Sequence, residues 1–126
     1  MLEIKPIQTK EEQKRICEMC GVQYYPDDMA YFASEGDMLL GVCQFNMKGG
    51  RGYISNMSNA IGVDDFEAMF IMARQTLNFI DLCGVHGAVY LGEESRLSKA
   101  VGFKNVDGEL FMDLTGFFES PCKHEY

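Results

Sequence analysis

Residues 51–84, RGYISNMSNAIGVDDFEAMFIMARQTLNFIDLCG, decide how the rest of the chain is read. Tyr53, Ile54 and Met57 open the stretch as a short β-prone run, and Ser58, Asn59 and Gly62 follow as a polar turn region. Phe66, Met69, Phe70, Ala73, Leu77 and Ile80 then recur at steps of three and four residues, the spacing of one helix face. The pattern predicts a helix from about Asp64 to Leu82. Asp64 and Asp65 suit an N-cap and the positive helix end, and Cys83-Gly84 offers a left-handed stop. Ile71, Met72, Phe79 and Leu82 widen the apolar stripe beyond one face. Such a helix is covered on two sides, or it covers a partner, a second copy in a homodimer included.

The flanking sequence supplies strands. Leu2, Ile4 and Ile7 alternate loosely with Glu3, Lys5 and Gln8 in a run interrupted by Pro6, which predicts an edge strand. Thr9 and Glu12 carry a capping-box signature for a helix that holds Ile16, Met19 and Cys20 and ends at Gly21. Tyr24, Tyr25, Pro26, Asp27 and Asp28 form an irregular connection. Tyr31 to Ala33, Leu39 to Phe45 and Tyr53 to Met57 make a meander whose turns are marked by Gly36 and by Gly49-Gly50. After the long helix, Ala88 to Leu91 reads as a buried strand, Glu94 to Val101 as a short helix, and residues 103–114 as a hairpin turning at Asp107-Gly108. The order β-α-β-β-β-α-β-α-β-β is an α+β fold with a mixed, mostly antiparallel central sheet flanked by helices. The crossover length predicts that the strands at Tyr53–Met57 and Ala88–Leu91 are parallel neighbours.

Composition bounds the function. The 126 residues are expected to form one domain, 1–126, with a real hydrophobic core. A formal net charge of -8 argues against nucleic acid or an anionic membrane as main partner. No apolar run has bilayer length and the N-terminus shows no signal pattern, so a cytoplasmic protein is expected. Five cysteines at irregular spacings predict reduced thiols and no disulfide framework.

The element order, with SRLSKAVGFKNV at 95–106 and the Gly102-Phe103 pair before a closing hairpin, resembles the GNAT superfamily of acyl-CoA-dependent N-acyltransferases. The resemblance spans almost the whole chain and rests on element order more than on motif. It implies a GNAT-like fold, acetyl-CoA or another acyl-CoA as cofactor, and a small-molecule or peptide amine as acceptor. It also implies that the backbone of Ile54, Ser55, Asn56 and Met57 holds the pantetheine arm, and that the amides of Ala60, Ile61, Gly62 and Val63 hold the pyrophosphate. The family loop carries Arg/Gln-x-x-Gly-x-Gly/Ala, whereas this one reads SNAIGVDDFEA, with Gly62 alone matching a motif glycine. Asp64 and Asp65 add negative charge there, and like charges within a few Å repel by roughly 1–4 kcal/mol at surface-like dielectrics. The family's Tyr, four residues before Gly-Phe, is Ser98 here. Its hydroxyl is a poorer acid than a phenol, whose ordinary pKa is about 10.

Other constellations are weaker. Glu93 and Glu94 follow the strand after the long helix; they either handle an amine or serve as favourable charges at a helix start. Cys17, Cys20, Cys122 and His124 have zinc-donor types but not a complete four-ligand spacing, so no metal is expected. His86 is either a general base or a solvated strand-entrance residue, and Tyr24 and Tyr25 either line an acceptor cleft or pack their loop. Two functions stand side by side. One is an N-acyltransferase in which an amine attacks the thioester directly; the other is a catalytically inactive GNAT-like module that binds a ligand or a protein.

Overall fold

The computed structural model describes residues 1–118. Its strands are β1 (Leu2–Pro6), β2 (Met29–Glu35), β3 (Met38–Lys48), β4 (Arg51–Asn59), β5 (Gly87–Tyr90), β6 (Lys104–Val106) and β7 (Glu109–Asp113). They form one sheet in the order β1-β2-β3-β4-β5-β7-β6. The helices are α1 (Lys10–Cys20), α2 (Phe66–Leu82) and α3 (Arg96–Val101). β4 and β5 are parallel, with Gly52 opposite Ala88 and Ile54 opposite Tyr90, as the α2 crossover requires. The other pairings are antiparallel.

Alternation sends the two sides of the meander to different helices. Ala30 and Val42 pack with Ile16 and Cys20 of α1, while Ala33, Leu40, Cys43 and Phe45 join the larger core under α2. Gly41 lets α2 approach closely, because a Cβ there would collide with the Met69 side chain and the Ser58 carbonyl. The sheet and α3 cover two sides of α2. Arg74 of α2 donates from Nε to the Val101 carbonyl of α3 at 2.9 Å. Leu82 nevertheless stays 76% exposed and Ile71 37%.

Element boundaries move where side chains cap. α2 starts at Phe66 and not Asp64, because Asp65 is extended (φ -127°, ψ 91°) and its carboxylate accepts from the Ala68 N–H at 3.0 Å. α3 starts at Arg96 and not Glu94, since Ser95 takes the cap. Ser58 and Asn59, expected in a turn, are the last residues of β4, paired with Val42 and Gly41. Thr9 caps α1 as expected, accepting from the Glu12 N–H at 3.1 Å, while the Glu12 carboxylate sits 3.8 Å from Arg15. Gly21 ends α1 with φ 66°. Among the described residues no helix is long and apolar enough to cross a membrane.

Cys17, Cys20 and Cys43 are buried free thiols and Cys83 is exposed. Burial pushes Cys17 up to about 11 and Cys20 and Cys43 up to about 12, from an ordinary value near 9. The folded chain keeps these protons while the unfolded chain releases them, so the stabilisation is complete below pH 9 and is lost as pH rises above it. Urea midpoints in reducing buffer should fall between pH 8 and pH 10, approaching about 1.4 kcal/mol per pH unit for each buried thiol. A flat profile would contradict the buried placement of these cysteines.

Candidate functional site

Two parallel strands that part company define the candidate site. Pairing of β4 with β5 ends at Ile54 and Tyr90, yet β4 runs on to Asn59 beside β3. The Leu91 N–H makes the last link, donating to the Ile54 carbonyl at 2.9 Å. Beyond it β4 continues without a partner on the β5 side, a gap in the pairing at the carboxyl ends of both strands. A β-bulge accompanies the divergence: Gln44 faces Asn56 and Phe45 faces Ile54, leaving Ser55 without a β3 partner. Ile54 and Met57 therefore both point into the α2 core, while Ser55 and Asn56 make their side-chain hydrogen bonds with residues of the loop after α1 and with Gln44.

That second face carries a buried polar network. Gln44 Oε1 accepts from Gln13 Nε2 at 2.9 Å and from the Tyr25 N–H at 3.0 Å, and its Nε2 donates to the Gln23 carbonyl at 2.7 Å. Asp28, only 5% exposed, accepts from Ser55 Oγ at 2.6 Å and from Asn46 Nδ2 at 2.9 Å. No cation pairs with its carboxylate among the described residues. A desolvated carboxylate held by two neutral donors has acceptor capacity left over. Asp28 also lines a cavity of about 420 Å³ with Tyr25, Asp27, Asn46 and Lys48. Tyr25 thus both lines a cleft and ties its loop to the sheet. Tyr24 is half-buried.

The loop from β4 to α2 is closed by its own hydrogen bonds. The Ala60 N–H donates to the Leu40 carbonyl, the Ile61 N–H to Met19 and the Val63 N–H to Ala60, each at 2.9 Å. Asn59 seals it further, donating to the Leu40 carbonyl at 2.9 Å and accepting from the Asp65 N–H at 3.3 Å. Of the four amides expected to cradle a pyrophosphate, three are committed elsewhere, and Asp65 directs its carboxylate at the helix end. The loop does not fit a diphosphate as a family-type cradle, whereas β4 beyond Ile54 keeps an edge that β5 does not pair. A cation from α3 lies at this helix end: the exposed Arg96 guanidinium sits 4.0 Å over the Phe66 ring.

The remaining candidates sort by position. Ser98 is fully buried, and its Oγ accepts from the Ser95 N–H while its own N–H donates to Ser95 Oγ, so its hydroxyl caps α3 and does not reach the gap. Glu93 and Glu94 are exposed just before that cap. His86 lies at the opposite end of β5, its Nδ1 2.6 Å from Asp81. Cys20 packs with Ala30 and Val42 of the sheet and Cys17 is fully buried, Cys122 and His124 lie outside the described residues, and no metal-ligating group of three or more forms among those described.

Sequence reading missed Tyr90. It is the last residue of β5, beside the gap, and its ring lies over Gly92, where a Cβ would collide with the phenol. Burial, with Cys43 and Glu93 nearby, raises its pKa. The signal available was Tyr-Leu-Gly, a glycine two residues after a strand-ending tyrosine.

Comparison with solved structures shows the GNAT fold. An IAA acetyltransferase from Bacillus cereus superimposes with a TM-score of 0.74 at 16% identity, over 90% of this chain and 100% of that one. An acetyltransferase from Bacillus subtilis in complex with CoA gives 0.68 at 16% identity, over 90% and 99%. A GNAT family acetyltransferase from Brucella melitensis in complex with acetyl-CoA gives 0.69 at 16% identity, over 95% and 90%. No family model and no curated protein matches the chain. At such identities the likeness is one of fold.

Asn59 should hold the loop shut. Asn59→Ala should lower stability by about 1–3 kcal/mol, since it strips partners from part-buried backbone groups. Amide exchange at Ala60, Ile61 and Asp65 should accelerate with it. Unchanged exchange would show that the loop closes without this side chain.

Proposed function

We propose that the chain is an acyl-CoA-dependent N-acyltransferase that takes the thioester end of its substrate into the β4–β5 gap and holds the diphosphate weakly. The observation that carries this reading is the free edge of β4 after Ile54, where pairing with β5 stops and the strand continues. An amide-containing pantetheine arm adds to such an edge as an extra strand does, through main-chain hydrogen bonds at Ser55 to Met57.

The bound thioester supplies an acyl carbon open to attack by an amine. The bound ammonium first gives one proton to water and becomes the attacking amine. Forming the C–N bond then breaks the C–S bond, and the departing sulfur takes the Tyr90 phenol proton. The second nitrogen proton passes through water to restore the phenol. Asp28 is the group placed to hold an acceptor ammonium: it is buried, unpaired by any cation among the described residues, and bonded through Ser55 to the strand that carries the gap. Tyr90 is the proton donor to sulfur, and its raised pKa keeps the phenol protonated at neutral pH. The amine attacks from the face that carries Asp28. Tyr90 waits on the other.

A non-catalytic ligand- or protein-binding module is the second reading. Its support is the set of committed amides at Ala60, Ile61 and Val63 together with the Asp65 carboxylate.

Acetyl-CoA should bind with a Kd nearer 1 mM than 1 μM, a difference of about 4.1 kcal/mol. Replacing Asp64 and Asp65 with Asn keeps capping ability and removes negative charge, so calorimetry should show tighter binding. Acetyl-pantetheine should match acetyl-CoA in kcat/KM to within about tenfold, because the diphosphate contributes little here. Micromolar binding lost on truncation would mean that the loop does hold phosphate. Absence of binding and turnover in both proteins would favour the module.

The two proposed side chains separate kinetically. Tyr90→Phe should lower kcat by about 10²–10⁴-fold with little change in KM for the amine. Asp28→Asn should mainly raise KM for the amine. Unaltered kinetics in either variant would remove that residue from the mechanism.

A further inference from the structure

A second cavity lies away from the β4–β5 gap, where β1 gives way to α1. Pro6 still pairs with Tyr31, the Ile7 N–H donates to the Ala30 carbonyl at 3.0 Å, and Thr9 then turns the chain into the helix. The space left is about 380 Å³, at the small end of the range for ligand pockets, about 300–1,000 Å³. Ile7, Ala30, Tyr31, Phe45 and Phe79 form most of its wall, and Lys10 and Gln13 stand at its polar end.

The aromatic wall has a defined shape. Tyr31 and Phe45 stack with centroids 5.8 Å apart and planes 10° apart. Phe79 meets both edge-on, at 6.2 Å and 5.8 Å. Water against these rings finds few hydrogen-bond partners, whereas a flat apolar molecule gains contact area.

The polar end sets the sign of the ligand. Lys10 Nζ donates to Gln13 Oε1 at 3.2 Å and to the Asp28 carbonyl, which leaves one of its three donors free. No carboxylate forms an ion pair with it among the described residues. Gln13 has no donor to spare, because its Nε2 is shared between Gln44 and the Tyr25 carbonyl. The charge that meets a ligand is therefore positive. A cation would be repelled despite the rings, and a neutral molecule would gain nothing from the ammonium's charge.

We propose that this cavity binds a small planar carboxylic acid, with its ring against Tyr31, Phe45 and Phe79 and its carboxylate on Lys10. The site is built from β1, α1 and the edge of the core, and it stands whether or not acyl transfer occurs in the gap.

Phenylacetate and its uncharged isostere phenylacetamide test this by amide chemical-shift titration of the full chain. Phenylacetate should saturate with a Kd in the millimolar range or below, and the largest shifts should fall at Ile7, Ala30, Tyr31 and Phe79. Phenylacetamide should bind at least tenfold more weakly, and Lys10→Met should weaken phenylacetate by a similar factor, about 1.4 kcal/mol. Equal affinity for acid and amide, shifts centred elsewhere, or no saturation by about 10 mM would overturn the proposal. If Lys10→Met destabilises the fold, the acid–amide difference on the unaltered chain still separates a charge-reading site from a merely greasy one.

Discussion

β4 has to satisfy two neighbours that want different things from it. On one side β3 runs antiparallel along its length, and on the other β5 is parallel and stays for only a few residues. The bulge at Ser55 absorbs the conflict by turning Ile54 and Met57 to the same core. Once they are anchored under α2, the strand bends from β5 and cannot return without unburying one of them. The gap is thus a consequence of core packing. Its chemistry is inherited from whatever the bulge exposes, here Ser55 and Asn56 on the Asp28 side and Tyr90 across the sheet.

The loop that follows shows the opposite logic. A phosphate cradle needs amides that point outward with nothing to bind, and such groups are costly unless a ligand or water serves them. Here α1 and β3 serve them instead: the carbonyls of Met19 and Leu40 reach the Ile61 and Ala60 amides. Asp65 completes the closure by capping the helix, whose positive end would otherwise draw phosphate. The same chain therefore keeps a free strand edge at β4 while its β4–α2 loop amides are taken up by protein carbonyls. Arg96, arriving from α3 over Phe66, brings a positive charge to this helix end.

Local pattern made the architecture legible. Apolar spacing placed α2, glycines marked the meander turns, and the crossover length predicted the parallel pair of β4 and β5. Thr9 and Gly21 were readable as the caps of α1 because capping is decided within a few residues. The site was less legible because its members meet across long stretches of chain. Gln13 pairs with Gln44, Asp28 with Ser55, and Asn59 with Leu40, and none of these is encoded by spacing. Asp28 looked like one more polar residue in a turn until the sheet buried it. Ser98 was matched by position, but position along the chain did not show that Ser95 had already claimed its hydroxyl.

In the proposed reading the thioester arm and the diphosphate part company, one taken by the β4 edge and the other left without the Ala60, Ile61 and Val63 amides to receive it. Backbone amide shifts during an acetyl-CoA titration bear on this separation residue by residue. Ser55, Asn56, Met57 and Leu91 should move while Ala60, Ile61 and Val63 stay, their protons already spoken for by Leu40, Met19 and Ala60. Shifts concentrated at Ala60 to Val63, with the β4 edge unmoved, would contradict it.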